Sequence, residues 1–158
     1  MVPPEVSLHH IRTELEQAKP IVDCFRLQVD TSMLSQDDLR VRVTGASRVD
    51  SETYVVEMRF DGYRMIPPFV EFVDPSTGEP GARSAYPSCF HGHPCICSRY
   101  NRKTYQGHSG LHSDWHYGDW SSEPSTESIG GMLNHIFASI NGHLDDYQGH
   151  QPYKGRMT

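Results

Sequence analysis

Between residues 25 and 73 the chain alternates apolar and polar side chains in four short runs, and this period of two limits what it can fold into more than any other feature. In "LRVRV" (39–43), Leu39, Val41 and Val43 share one side while Arg40 and Arg42 share the other. That is the pattern of a half-buried antiparallel strand. "FRLQV" (25–29), "YVVEMRF" (54–60) and "FVEFV" (69–73) add three more such runs. "SMLSQDD" and "GASRVDSE" supply turns between them, and "DPSTGEPG" closes the last.

Helical periodicity flanks these strands. Leu8, Ile11, Leu15 and Ala18 fall on one face, Ser7 is placed to cap the start and Pro20 closes the run, which predicts a helix over 5–19. In "SIGGMLNHIFASINGH", Ile129, Met132, Leu133, Ile136, Phe137 and Ile140 form a second apolar stripe. Gly130 and Gly131 weaken the start of that helix by about 1 kcal/mol each relative to alanine, so something must approach closely there. The order helix, four strands, irregular stretch, helix predicts an α+β domain, with helices on one face of a four-stranded antiparallel meander. One domain is expected over 1–150, followed by a loose tail over 151–158.

Composition narrows the function classes. A chain of 158 residues is one ordinary domain, and its formal charge of −6, with Lys and Arg scattered, argues against tracking along nucleic-acid phosphates. No apolar run approaches the roughly 20 residues of a membrane span. The opening "MVPPEVSLHH" has neither the charge nor the apolar stretch of a signal peptide. The four cysteines are bunched rather than spread, with three of them in "CFHGHPCICSRYN" (89–101). This predicts a reducing, cytoplasmic setting and cysteines that are catalytic or metal-bound, not cross-linked.

That cluster lies in a stretch rich in Gly, Ser, His, Tyr and Pro, from Pro75 to Pro124, and an irregular segment of such length in a compact domain is usually functional. Two chemistries fit it. Cys89, His91, His93, Cys95 and Cys97 alternate at every second position, and His108, His112 or His116 could complete a zinc tetrahedron, although the spacing matches no common finger or ribbon. Alternatively one thiol is a nucleophile. Arg99, Arg102 and Lys103 follow Cys97, and cationic neighbours favour a thiolate.

The surroundings of the cluster weigh toward the nucleophile. "DGYRMIPPFVEF" (61–72) resembles the "YPFKPPxVxF" segment of ubiquitin-conjugating enzymes, with Tyr63, Pro67, Pro68, Val70 and Phe72 at the family's spacing. Tyr86 and the Ile96–Cys97 pair resemble the motif tyrosine and the "IC" pair that ends on the family's catalytic cysteine. Trp120 and the helix after it resemble the tryptophan, short loop and helix that lie beyond that cysteine in the family, so the resemblance spans roughly residues 5–143. It departs from the family in the extra residues "DPSTGEPGARS", in a longer stretch from Cys97 to Trp120, and in having Pro-Ser-Cys after Tyr86 in place of His-Pro-Asn. In these departures it is similar to divergent bacterial members, which serve small ubiquitin-like conjugation systems with their own activating enzyme.

The resemblance implies a UBC-like fold and a transferase without a cofactor. Cys97 would accept a ubiquitin-like protein as a thioester from an activating enzyme and pass it to an amine on a target protein. The implied setting is a bacterial conjugation pathway, with antiviral defence as a candidate role. The tetrahedral oxyanion needs a polar donor, and in place of the missing asparagine the candidates are Asn101, His112 and His116. Asp114 or Asp119 could orient an imidazole or desolvate an incoming amine. The rival is a catalytically inert binding module on the same fold, stabilised by zinc on the Cys/His cluster.

Overall fold

The computed structural model describes residues 2–105, 112, 114–122, 124–143 and 151–158. Helices α1 (Pro4–Gln17) and α2 (Lys19–Phe25) come first, followed by strands β1 (Gln28–Asp30), β2 (Arg40–Ala46), β3 (Thr53–Arg59) and β4 (Phe69–Val73), and then helix α3 (Ile129–Ile140). The four strands pair antiparallel in sequence order. The domain is α+β, a meander sheet with helices before and after it.

The alternation read in the sequence sorts the sheet's two faces. Val41, Val43, Val56, Val70 and Phe72 are buried in the core beside Leu133, Ile136 and Phe137 of α3. On the opposite face Glu57 accepts from Arg42 at 2.8 Å, and Glu71 accepts from Lys103 at 2.7 Å. Glu57 and Glu71 are themselves largely buried under these cations, which is tolerable because each carboxylate is paired.

The expected first helix is two. Pro20 sits in the first turn of α2, where a missing N–H costs nothing. It therefore restarts a helix instead of ending one, and α2 takes in Phe25, which the alternation assigned to the first strand. Phe25 packs on Phe137 of α3 with ring centroids 6.5 Å apart. Arg26 then turns the chain with a left-handed φ of 54° and leaves β1 only three residues long.

The close approach demanded by the glycine pair is present. A Cβ on Gly131 would lie 2.0 Å from the Ser125 carbonyl oxygen, and one on Gly130 would lie 3.4 Å from Ala18 Cα. Ser128 caps α3 by accepting from the Gly131 N–H at 3.2 Å. A buried carboxylate ties the two ends of the fold together: Glu14 of α1 accepts from the Tyr63 hydroxyl (2.7 Å), the Ile129 N–H (3.0 Å) and Arg64 (3.2 Å).

Residues 151–158, expected to be loose, are pinned instead. The Met157 N–H donates to Tyr86 O at 2.8 Å, and Gly155 O accepts from Ser88 N at 2.8 Å. The Tyr153 hydroxyl reaches the Asp50 carboxylate at 2.8 Å and the Tyr54 hydroxyl at 2.8 Å. The apolar residues Tyr153 and Met157 are too few to show any period, yet each finds a buried slot.

Candidate functional site

The segment that carries Cys97 lies along the free edge of β4 and is held there chiefly by the Asn101 side chain. Asn101 is fully buried, and its amide mimics a neighbouring strand. Its Oδ1 accepts from Val70 N (2.9 Å) and Lys103 N (3.1 Å), while its Nδ2 donates to Val70 O (3.0 Å) and Ile96 O (2.8 Å). Arg102 extends the staple: its N–H donates to Pro68 O at 2.8 Å and its Nε to Pro67 O at 2.9 Å. An edge strand is thereby covered, and Cys97 is held beside a strand it does not belong to. Ile96 and Tyr100, on either side, are buried in the core.

Within this frame the Cys97 sulfur lies 3.0 Å from Nε2 of His112. His112 is positioned by its own backbone, whose N–H donates to Thr104 O at 3.1 Å. Its ring also stacks on Trp115, with centroids 3.7 Å apart and planes 4° from parallel. The Arg99 guanidinium carbon lies 5.0 Å from the Trp115 ring centroid. Tyr105 meets Trp115 edge-on at 5.8 Å.

Burial governs the charge state of the pair. Cys97 is only 3% exposed, and loss of hydration pushes its thiol up to about 11. The same cause lowers the His112 imidazole below its ordinary value; Asp114 opposes that shift, while His91 and Arg99 add to it. A thiol pushed up and an imidazole pushed down leave both groups neutral near pH 7. In the tautomer with its ring proton on Nδ1, His112 accepts a hydrogen bond from the thiol through Nε2. The cations after Cys97 are engaged elsewhere: Arg102 donates to Pro67 O, Lys103 pairs with Glu71, and Arg99 lies over the Trp115 ring.

The three donor candidates therefore have different places. His112 faces the sulfur. Asn101 has its amide committed to backbone partners and acts as scaffold. His116 is exposed and lines a small cleft with Tyr105, Trp115 and Tyr117. Asp119 accepts from the His116 backbone N–H at 2.9 Å, so that carboxylate closes a turn. Cys89 and Cys95 are buried and, like Cys97, form no disulfide. Cys89 is pushed up to about 12 by burial. Among the described residues no three His, Cys, Asp or Glu side chains converge as metal ligands; His108 lies outside the described residues.

No protein-family model and no curated protein matches the sequence. Among the described residues no helix is long and apolar enough to cross a membrane.

The roles of two residues of the site were not legible in the sequence. Trp115 had a signal, standing three positions after His112, but nothing in the sequence shows that the intervening turn brings the rings face to face. Asn101 is visible in the sequence as a polar residue close to Cys97, but only the structure shows that its amide is committed to the backbone of Val70, Ile96 and Lys103.

Proposed function

We propose that the chain is a ubiquitin-conjugating-like transferase with Cys97 as its nucleophile. The observation that carries this reading is the 3.0 Å approach of His112 Nε2 to the Cys97 sulfur, which gives a buried, neutral thiol a base for its proton. The helix–meander–loop–helix order and the "IC" pair at Ile96–Cys97 support it.

In this reading the Cys97 sulfur attacks the thioester carbonyl that an activating enzyme presents, and its proton passes to His112 Nε2. The tetrahedral intermediate expels the activating enzyme's thiolate, which takes that proton, and the ubiquitin-like protein is left on Cys97. An amine of the target then attacks the new thioester. It gives its proton to His112, and Cys97 leaves as thiolate and is reprotonated. A bacterial, cytoplasmic conjugation pathway, with antiviral defence as its candidate role, is the setting this chemistry suits.

The test is loading with an activating enzyme, ATP and a ubiquitin-like protein. A reducible adduct should form, disappear in Cys97→Ala, become a slower oxyester in Cys97→Ser and persist in Cys95→Ala. Loss on Cys95→Ala with retention on Cys97→Ala would move the nucleophile. An inert Cys97 with one zinc per chain by elemental analysis would favour a metal-stabilised binding module on the same scaffold.

A further inference from the structure

Nothing in the chemistry of a conjugating cysteine requires a tryptophan, yet the only ring stacked on the His112 imidazole belongs to Trp115, among the described residues. An imidazole on an irregular loop has freedom about two side-chain torsions, and a proton acceptor must sit within about 2.6–3.2 Å of the group it serves. The backbone bond from His112 N to Thr104 O fixes where the side chain starts. It does not fix where the ring points. The flat stack at 3.7 Å and 4° does, because it leaves the ring only in-plane freedom.

Trp115 is in turn held from two further sides. Tyr105 packs against it edge-on at 5.8 Å, and the Tyr105 hydroxyl donates to the Arg99 carbonyl, two residues from Cys97. The Arg99 guanidinium lies over Trp115 at 5.0 Å, a cation–π contact. The stack is thus anchored to the same short segment that carries the nucleophile, so sulfur and imidazole are referenced to one frame. We infer that Trp115 is a positioning residue that presents His112 Nε2 to the Cys97 sulfur, with Arg99 and Tyr105 holding the indole in place.

This inference rests on the assignment of Cys97 as a nucleophile with His112 as its base, but its test needs no ubiquitin-like protein. The rate of Cys97 alkylation by iodoacetamide, resolved from the other three cysteines by mass spectrometry of peptides, reports the pair directly. His112→Ala should slow it by about 10²-fold at pH 7, the lower end of what a positioned base supplies. Trp115→Leu should slow it by roughly 10-fold or more, and adding it to His112→Ala should cost nothing further, because a positioning residue acts only through the group it positions. Trp115→Phe, which keeps a flat ring, should restore most of the rate.

The pH profile separates positioning from mere packing. His112 touches the Cys97 thiol, and the charged or titratable groups that act on it electrostatically are Asp114, His91 and Arg99. Burial keeps the imidazole neutral to lower pH than an ordinary histidine, so alkylation of the natural protein should fall off only below that range. In Trp115→Leu the fall should move up toward the ordinary histidine value of about 6.5. Equal rates in Trp115→Leu and the natural protein, or a further loss when Trp115→Leu is added to His112→Ala, would overturn the inference. A normal Trp115 effect on alkylation with no thioester formed would leave the inference standing and count against the transferase reading alone.

Discussion

The sheet with its helices and the segment from Asp74 to Ser128 are built by different means. In the sheet, backbone pairs with backbone, and the apolar faces of Val41, Val43, Val56 and Phe72 meet α3. Among the described residues of the irregular segment, side chains take over part of the backbone's work: Asn101 pairs with Val70 as a strand would, and Arg102 reaches Pro67 O. A periodic surface tolerates the exchange of one apolar side chain for another of similar size. A side chain standing in for a strand has no such tolerance, since its loss strands several buried polar groups at once. The candidate site sits in the second kind of structure, where one residue holds several others in place.

The sharpest way to break that comparison is Asn101→Ala. It removes the partners of Val70 N, Val70 O and Ile96 O together, and should destabilise the protein by about 3 kcal/mol or more. Urea unfolding followed by circular dichroism measures this; an unchanged midpoint would mean that the segment does not depend on its staple. Next comes Gly131→Ala, where the new Cβ would lie 2.0 Å from a carbonyl oxygen that cannot swing away. Despite alanine's better helix propensity it should cost about 2–3 kcal/mol, and a stabilised variant would show that the packing of α3 on this segment is loose.

Alkaline titration probes the irregular segment through its buried thiols. Cys97 and Cys89 are pushed up by burial to about 11 and about 12, from an ordinary thiol value of 9.0. Their contribution is fully present below pH 9, where both states hold the proton, and is lost as pH rises toward the folded-state values. The loss should reach up to about 1.4 kcal/mol per pH unit for each thiol. The midpoint of unfolding at pH 10 should therefore rise relative to that at pH 8 when Cys89 is replaced by alanine. An unchanged difference would show that this thiol is hydrated.

The smallest expected effect belongs to the tail. Tyr153→Phe removes the hydroxyl that bonds Asp50 and Tyr54 and should cost about 1 kcal/mol. Protease sensitivity confined to residues 151–158 in that variant would identify the hydroxyl as the pin. Resistance equal to that of the natural protein would assign the pinning to the backbone bonds at Tyr86 and Ser88.

Local pattern carried much of the fold. "LRVRV" and "FVEFV" announce strands because burial in a sheet repeats every two residues, and the stripe from Ile129 to Ile140 announces α3 for the helical counterpart of that reason. The pattern faltered at Phe25, an apolar residue that serves a helix as readily as a strand, and at Pro20, which starts a helix and stops one with equal right. Within the site, Cys97 is marked out by the resemblance of Tyr86 and the Ile96–Cys97 pair to a conjugating-enzyme motif, not by any local period. His112 was one of three candidates, and nothing in the sequence ranked it above His116.

What the sequence determined by itself is the succession of elements and the bunching of thiols and imidazoles in one irregular stretch, since both are written in the spacing of near neighbours. Only the tertiary structure decided that His112 meets Cys97 across 15 positions, that Asn101 spends its amide on Val70 across 31, and that Tyr153 reaches Tyr54 across 99. Contacts of that kind obey no period. They depend on where a loop is tied down, and the ties here are a few side-chain hydrogen bonds and ring contacts whose partners are settled only once the rest of the chain has packed.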